Sequence, residues 1–380
     1  MQPADAARIL LRRRRMRESL VAFAQSIQIP GAPAGGDDSE LFEPVGLGMA
    51  AHHRVMCEWI QRCIETRYGR LIMMLPPGAA KSTYASVLAP AWLMGTRPGS
   101  QTILTSYAGD LTKKHGRKAR AVCKQPVYVD AFGATVSKQT SAADLWALEN
   151  GSEYMGAGIL AGVTGSRADL IVGDDLIAGR QEAESVAIRT STIEAWHQDV
   201  MTRAKPGASI ILLGTRWHPS DPIGALLPKD YDGRSGPVKC ADDMTWQVLN
   251  IPAEAEHDDD PLGRAKGDML WPEQWKEDHW PQFRSQPRMW ASLYQQRPTI
   301  AGGGKFKREW AQWYEPGDEP RREELNVYGA SDWGAPSEES GETDPTEHGI
   351  IGLDSNEDAR GNPYPRFWLL DWRYGAVTTD

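Results

Sequence analysis

Cysteine, long apolar runs and net positive charge are all in short supply in this chain. Of its 380 residues only four are cysteines, Cys57, Cys63, Cys123 and Cys240, with no C-x-x-C pair and no zinc-ligand spacing. That pattern excludes a disulfide scaffold or a zinc ribbon and leaves reduced thiols in a cytosolic protein as the expectation. No apolar stretch approaches the roughly 20 residues needed to span a bilayer. The N-terminus has no apolar signal-peptide core, so no membrane role is expected. With 42 Lys and Arg against 51 Asp and Glu, the formal net charge is −9. This argues against a protein that coats nucleic acid through bulk positive charge, while a local basic strip stays possible. What is present, 41% hydrophobic and 24% charged residues, is an ordinary globular balance, and the length allows roughly two to three domains.

The chain is organised around residues 70–83, RLIMMLPPGAAKST. An apolar run, 71–75, ends in two prolines and a small-residue turn that delivers Lys81, Ser82 and Thr83 into a helical pattern over 81–94. Strand, tight turn, Lys-Ser/Thr and helix is the layout of a phosphate-binding loop. Backbone N–H groups at the helix N-terminus face an anion, the lysine adds a point charge, and the serine hydroxyl reaches Mg²⁺. Glycine is what this loop lacks. The pattern G-x-x-x-x-G-K-[ST] places Leu75 and Ala80 at the two glycine positions, and Gly78 is the only glycine in the turn. Gly78, Ala79, Ala80, Lys81, Ser82 and Thr83 are the candidate phosphate-binding residues, with a plain strand-turn-helix as the alternative.

A second signal is DLIVGDD at 169–175, a short apolar strand whose end presents Asp174 and Asp175. Ligands of open α/β sheets sit at the carboxyl ends of the strands. Asp174 is therefore the candidate Mg²⁺ ligand and Asp175 the group that polarises an attacking water. A metal at a triphosphate needs few protein carboxylates, because it keeps waters and phosphate oxygens. A third strand, 209–213, runs into Gly214-Thr215-Arg216-Trp217, placing Thr215 where it could sense a γ-phosphate. Further strands are expected at 102–107 and 246–251, and helices at 50–68, 111–123 and 182–203. Strands alternating with helices indicate parallel βαβ units.

Several segments read as scaffold. The basic block Arg12–Arg15 sits in an N-terminal helical pattern and reads as a solvated face. His52 and His53 open a helix and read as a cap or surface feature, with no metal partner in view. The aromatic-rich stretch 270–314 reads as a small packed subdomain, since aromatics bury the most area per residue. Ala301-Gly302-Gly303-Gly304 reads as a linker. Beyond it, strands are expected at 326–331, 348–353 and 366–371, with Asp332, Asp344 and Asp371 as candidate carboxylates for a two-metal nuclease site.

Taken together, the chain resembles the large terminase subunit of tailed bacteriophages, an ATP-driven DNA-packaging motor with a fused nuclease. The residues that carry the resemblance are His52-His53, LIMMLPPGAAKST at 71–83, TSYAGDLTKKHGRKAR at 105–120 and GVTGSRADLIVGDDL at 162–176. GTRWHPSDPIGALL at 214–227, LWPEQW at 270–275 and LYQQRP at 293–298 complete the set. The resemblance implies an α/β fold: an ASCE-type P-loop NTPase sheet flanked by helices, followed by the start of a ribonuclease-H-like nuclease domain. It implies an N-terminal helix and loop over 1–48, an ATPase core over 49–230, a linker or lid over 231–300 and the nuclease over 301–380. Lys81 and Ser82 would bind the β/γ-phosphates of ATP and Mg²⁺, Asp174 the metal, Asp175 the catalytic place usually held by Glu, and Thr215 the coupling motif. Asp332 would be the first carboxylate of a nuclease site using Mg²⁺ or Mn²⁺. Implied partners are double-stranded DNA, the portal protein of the procapsid, the small terminase subunit and further copies in a ring, in the host cytoplasm.

Two departures accompany the resemblance. Family loops carry an Arg and a Gly where Gly78 and Ala80 stand, and Ala80 is tolerable at φ < 0 but costly at φ > 0. The missing arginine must be supplied by Arg117, Arg120, Arg167 or a neighbouring subunit acting in trans. The second departure is that only about 50 residues follow Asp332, so the expectation is a truncated, incomplete nuclease domain. A helicase-like ATPase and a degenerate nucleotide-binding module are the alternatives.

Overall fold

The computed structural model describes residues 3–36, 39–163, 165–299, 314, 320–332, 346–357 and 363–375. By its contacts the chain divides into two units, Met1–Ala301 and Gly302–Asp380. The first opens with α1 (Pro3–Glu18) and α2 (Leu20–Ser26). They are separate helices because Ser19 turns extended and accepts a hydrogen bond from Ala22 N–H as an N-cap. Strands β1 (Pro30–Pro33) and β2 (Phe42–Pro44) then form a small antiparallel ribbon in the stretch expected to be loop.

The core follows in βα alternation. Helix α3 (Ala51–Glu65) leads into β3 (Arg70–Met74), the loop and helix α4 over residues 81–96, whose turns from Thr83 to Leu88 are π-helical. Next come β4 (Gln101–Ser106), α5 (Gly109–Cys123), α6 (Pro126–Phe132) and three strands, β5 (Val136–Ser141), β6 (Leu145–Leu148) and β7 (Glu153–Gly158). Strand β8 (Ala168–Asp174), α7 (Arg180–Glu184), α8 (Val186–Ala195), β9 (Ala204–Gly214), α9 (Pro222–Leu226), β10 (Gly236–Lys239) and β11 (Thr245–Asn250) complete it. The single helix expected over 182–203 is broken at Ser185, which caps α8 by accepting from Ile188 N–H.

These strands form one nine-stranded sheet in the order β10-β11-β3-β9-β8-β4-β7-β6-β5. The run from β11 to β7 is parallel, and the outer strands β10, β6 and β5 add antiparallel edges. The sheet thus crosses the boundary expected at 230/231, because β10 and β11 pair onto the loop strand rather than standing in a separate subdomain. Buried parallel strands read as continuous apolar runs because both faces are covered, and their alternation divides the core in two. Leu71, Met73, Leu170, Val172, Ile211 and Leu213 pack with α1 to α6. Their neighbours Ile72, Met74, Ile171, Ile210 and Leu212 pack with Trp196, Val200, Ile223 and Leu226. Gly173 is required at its position, since a Cβ there would lie 2.7 Å from the Trp196 ring.

The aromatics of 270–296 form a satellite core around Trp280, Leu293 and Tyr294; Trp310 and Trp313 lie outside the described residues. The four cysteines are free and buried, and burial pushes Cys57, Cys63 and Cys123 up to about 12 and Cys240 to about 11. Among the described residues no helix is long and apolar enough to cross a membrane.

The second unit contains an antiparallel sheet in the order β12 (Asn326–Asp332), β13 (Thr346–Glu357), β14 (Pro363–Gly375). The linker 301–304 and Asp344 lie outside the described residues.

Candidate functional site

Register decides where the chemistry converges. Met74 pairs with Gly214, and Leu213 pairs with Asp174, so the carboxyl ends of β3, β9 and β8 lie level. Strand β9 stands between the loop strand and the Asp-Asp strand, which sets Thr215 between Lys81 and Asp175. Lys81 is 7% exposed, and its Nζ donates to Thr215 Oγ1 at 2.8 Å. The same Nζ is 3.8 Å from Asp175 Oδ2. Thr215 N–H donates to Asp175 Oδ1 at 2.8 Å, closing a ring of three residues drawn from three strand ends.

Asp174 is fully buried. Ser82 Oγ donates to its Oδ1 at 3.1 Å and Ser86 Oγ to its Oδ2 at 2.7 Å. Burial raises its pKa, opposed by Ser86, Lys81 and Ser82. Asp175 is raised by burial too, with Lys81 pulling it back. A buried carboxylate next to a hydroxyl, with its nearest ammonium already engaged, is an unbalanced negative charge. The donors, Asp174 and Ser82, are both hard oxygens, which suits Mg²⁺. Among the described residues no cluster of three or more metal-binding side chains exists. Two hard oxygens, from Asp174 and Ser82, suit an ion that keeps most of its ligands as water and phosphate oxygen.

The loop itself runs through Gly78 at φ +83° and Ala80 at φ +60°. Ala80 thus occupies the left-handed region, the costly alternative for a residue with a Cβ, worth about 1–2 kcal/mol. Ala79 is buried in the core and Thr83 opens the π-helical segment. Asp175 is left-handed as well, at φ +44°. Its carbonyl accepts from Tyr107 N–H at 3.1 Å and Ser106 Oγ at 3.3 Å, which holds it there. Aspartate tolerates this conformation better than most residues.

Two neighbours went unread in the sequence. Ser86 lies one helical turn after Ser82, a spacing that puts both hydroxyls on one face. His115, from α5, places Nε2 3.5 Å from Asp174 Oδ2, and burial lowers its pKa to about 4. Asp221 was also missed. Its carboxylate takes Arg216 Nε at 2.9 and 3.0 Å and the N–H groups of Trp217, His218 and Gly224, fixing the loop that follows Thr215.

The arginine candidates separate. Arg117 and Arg120 are buried on α5, and Arg120 binds the Ser141 and Ala142 carbonyls and Glu40. Arg167 is exposed at the amino end of β8, about 20 Å along the strand from Asp174. The basic face of α5 is similarly occupied: Lys118 lies over Phe42 and Lys124 pairs with Glu40. The block 12–15 lies on a largely exposed face, with Arg12, Arg14 and Arg15 exposed and Arg12 and Arg13 pairing with Asp130 of α6. His53 caps α3, accepting from Ala50 N–H at 3.1 Å, but neither it nor His52 is a surface residue. Both pack on Trp271, whose neighbour Trp275 lies against Gly78. A cavity of about 680 Å³ opens beside them, lined by Met49, His52, Leu262, Arg264, Asp268 and Trp271 among others, a size that suits a nucleoside.

In the second unit Asp332 ends β12 opposite Glu347, whereas Asp371 pairs with Ile350. The two are three register positions apart, about 10 Å along the strands, so the sheet does not bring them together.

A family model described as terminase large subunit, T4-like-virus type, N-terminal, matches residues 72–312. Among solved structures, the large terminase of a thermophilic bacteriophage is similar at 13% identity and TM-score 0.37, over 85% of this chain and 67% of that one. Its complex with ADP aligns at 13% identity and TM-score 0.36, over 86% and 68%. A mutant large terminase ATPase domain of Thermus phage P74-26 aligns at 14% identity and TM-score 0.41, over 67% and 100%. No curated protein matches.

Proposed function

The chain belongs to the large terminase subunits of the T4-like-virus type, and from that premise we propose that it is the ATPase of a genome-packaging motor, using ATP to drive double-stranded DNA into a procapsid. The observation that carries this is the interlock of Lys81, Ser82, Asp174, Asp175 and Thr215 at three adjacent strand ends. In this reading the loop N–H groups and Lys81 take the β/γ-phosphates, and Ser82 with Asp174 holds Mg²⁺, which neutralises charge on the transferring phosphoryl. Asp175 orients the attacking water. The Lys81 ammonium carries three N–H donors, so it can hold Thr215 and a phosphate together and link the two. Thr215 leads directly into the loop stapled by Asp221, which is the route from chemistry to movement. The base lies in the cavity beside His52 and Trp271. Arg167, too far from Asp174 to act on its own site, acts on the site of the next subunit in a ring on the portal, with the small terminase subunit delivering DNA.

Mg²⁺-dependent ATP hydrolysis by the purified protein tests this. Lys81→Ala should reduce turnover to background while the variant melts as the parent does. A folded Lys81→Ala protein with parental turnover sinks the proposal. Strand separation without a procapsid would favour the helicase reading instead.

A further inference from the structure

One cluster of arginines in this acidic chain shares a single carboxylate. Arg180 at the start of α7 and Arg288 converge on that carboxylate, Glu184, and Arg189 of α8 faces the same His218 as Glu184 and Arg288 do. Glu184 Oε1 pairs with Arg288 Nη2 and lies 3.9 Å from Arg180 Nη1. Arg189 donates to the Ala183 carbonyl. The other nearby carboxylates are engaged: Glu182 accepts from Ala178 N–H, and Asp221 is held by Arg216. His218, which also faces Arg189, Glu184 and Arg288, is held below its ordinary pKa by burial and by those arginines. Two guanidiniums sharing one carboxylate leave a local excess of positive charge. Arg180 Nη1 and Arg288 Nε are moreover buried without hydrogen-bond partners, an arrangement that costs free energy unless an anion completes it. The N-terminus of α8, capped by Ser185, adds partial positive charge at the same place.

We propose that Arg180, Arg189 and Arg288 form a phosphate-binding site for the backbone of the translocated DNA, separate from the Lys81 loop. The inference rests on the motor reading and gives it a DNA contact. About a third of each of the Arg180 and Arg288 side chains is solvent-accessible, at 32% and 36%. This suits a duplex passing over the surface better than an enclosed nucleotide. The position suits coupling. Arg180 follows Asp175 by five residues, and its guanidinium lies 6.0 Å from the Trp217 ring, two residues beyond Thr215. A phosphate drawn to this cluster therefore touches the two loops that leave the catalytic strands.

The test is equilibrium binding of the full chain to a non-specific 30-base-pair duplex across a salt series, alongside ATP binding. Each phosphate contact contributes about 0.9 to the slope of log K against log salt. Arg180→Ala/Arg288→Ala should flatten that slope by about 1 to 2 and leave ATP affinity unchanged. Glu184→Gln, which removes the carboxylate that Arg180 and Arg288 share and no arginine, should tighten duplex binding at the same salt, and keeps the test decisive if the double variant misfolds. Parental slope and affinity in the folded variants overturn this site while leaving the motor reading intact. Loss of ATP affinity with an unchanged DNA slope assigns the cluster to nucleotide and overturns it as well. A parental chain that binds no duplex overturns the motor reading together with the site.

Discussion

Two sheets of this chain carry aspartates on their strands, and among the described residues only those of the nine-stranded sheet are brought together with partners. At the carboxyl edge of the nine-stranded sheet, Asp174 and Asp175 are met by Ser82, Ser86, Lys81 and Thr215, all within hydrogen-bonding or ion-pairing reach. On the three-stranded sheet, Asp332 and Asp371 stand three register positions apart. Large apolar side chains of that sheet are exposed, Tyr328 at 59% and Phe367 at 71%. A parallel sheet with both faces covered levels its strand ends and delivers loops from several strands to one edge. An antiparallel meander carries each carboxylate at its own height. Charge at a strand end becomes a site only where topology brings partners to it.

The largest expected effect separates the two sheets by chemistry. Asp175→Asn should lower kcat for ATP by roughly 10²–10⁴, the usual range for removing a group that takes a proton from the attacking water. Asp332→Asn, in the other unit, should leave it unchanged. Equal losses from both variants, measured by phosphate release, would erase the contrast.

The second effect separates them by pH. Burial lowers His52 to about 3 and His53 to about 4, against about 6.5 in an unfolded chain. Both are neutral in the fold and gain protons on unfolding. Their contribution is therefore fully present above about pH 6.5 and is lost as pH falls through 4 towards 3. The slope for the pair approaches roughly 3 kcal/mol per pH unit between pH 5.5 and 4.5. Hydrogen exchange should show α3 and β3 losing protection over that window, with β12–β14 following no such dependence. His53→Asn keeps an acceptor for Ala50 N–H and should take about 1.4 kcal/mol per pH unit, one proton's share, off the slope; an unaltered slope would mean that this ring is not a titrating group.

Such contrasts show what a sequence can carry. The loop strand, the Asp-Asp strand and the Thr215 strand were legible because a buried parallel strand is an uninterrupted apolar run with a polar residue at its end. Strands β5 to β7 were not. VSKQTS, LWAL and EYMGAG are short, partly exposed segments towards one side of the sheet, with only VSKQTS at its edge, and their pairing comes from the neighbouring strands rather than from their own composition. Ser86 was findable, one turn from Ser82. His115 and Asp221 were not, because their partners, Asp174 and Arg216 with its loop, are fixed by packing and by a loop closing on itself. The arginine cluster joins residues 104 apart in the chain, a separation that no local pattern reports.

The smallest effect lies within the phosphate loop, between its two left-handed positions. Gly78 at φ +83° fits glycine twice over, since a Cβ there would also sit 3.2 Å from Trp275 Cζ2. Ala80 at φ +60° has the same backbone demand and the wrong residue for it. Replacing Ala80 by glycine should recover about 1–2 kcal/mol of backbone strain and surrender about 0.5–1 kcal/mol of unfolded-state entropy. The net expectation for Ala80→Gly is a gain of up to about 1.5 kcal/mol, read as a higher midpoint in urea with an unchanged slope. Gly78→Ala should move the midpoint the other way, by more than 1 kcal/mol, because it adds strain and a ring contact together. If Ala80→Gly instead destabilises the protein, then Ala80 is not held left-handed, and the loop without its consensus glycine is shaped by some other backbone path.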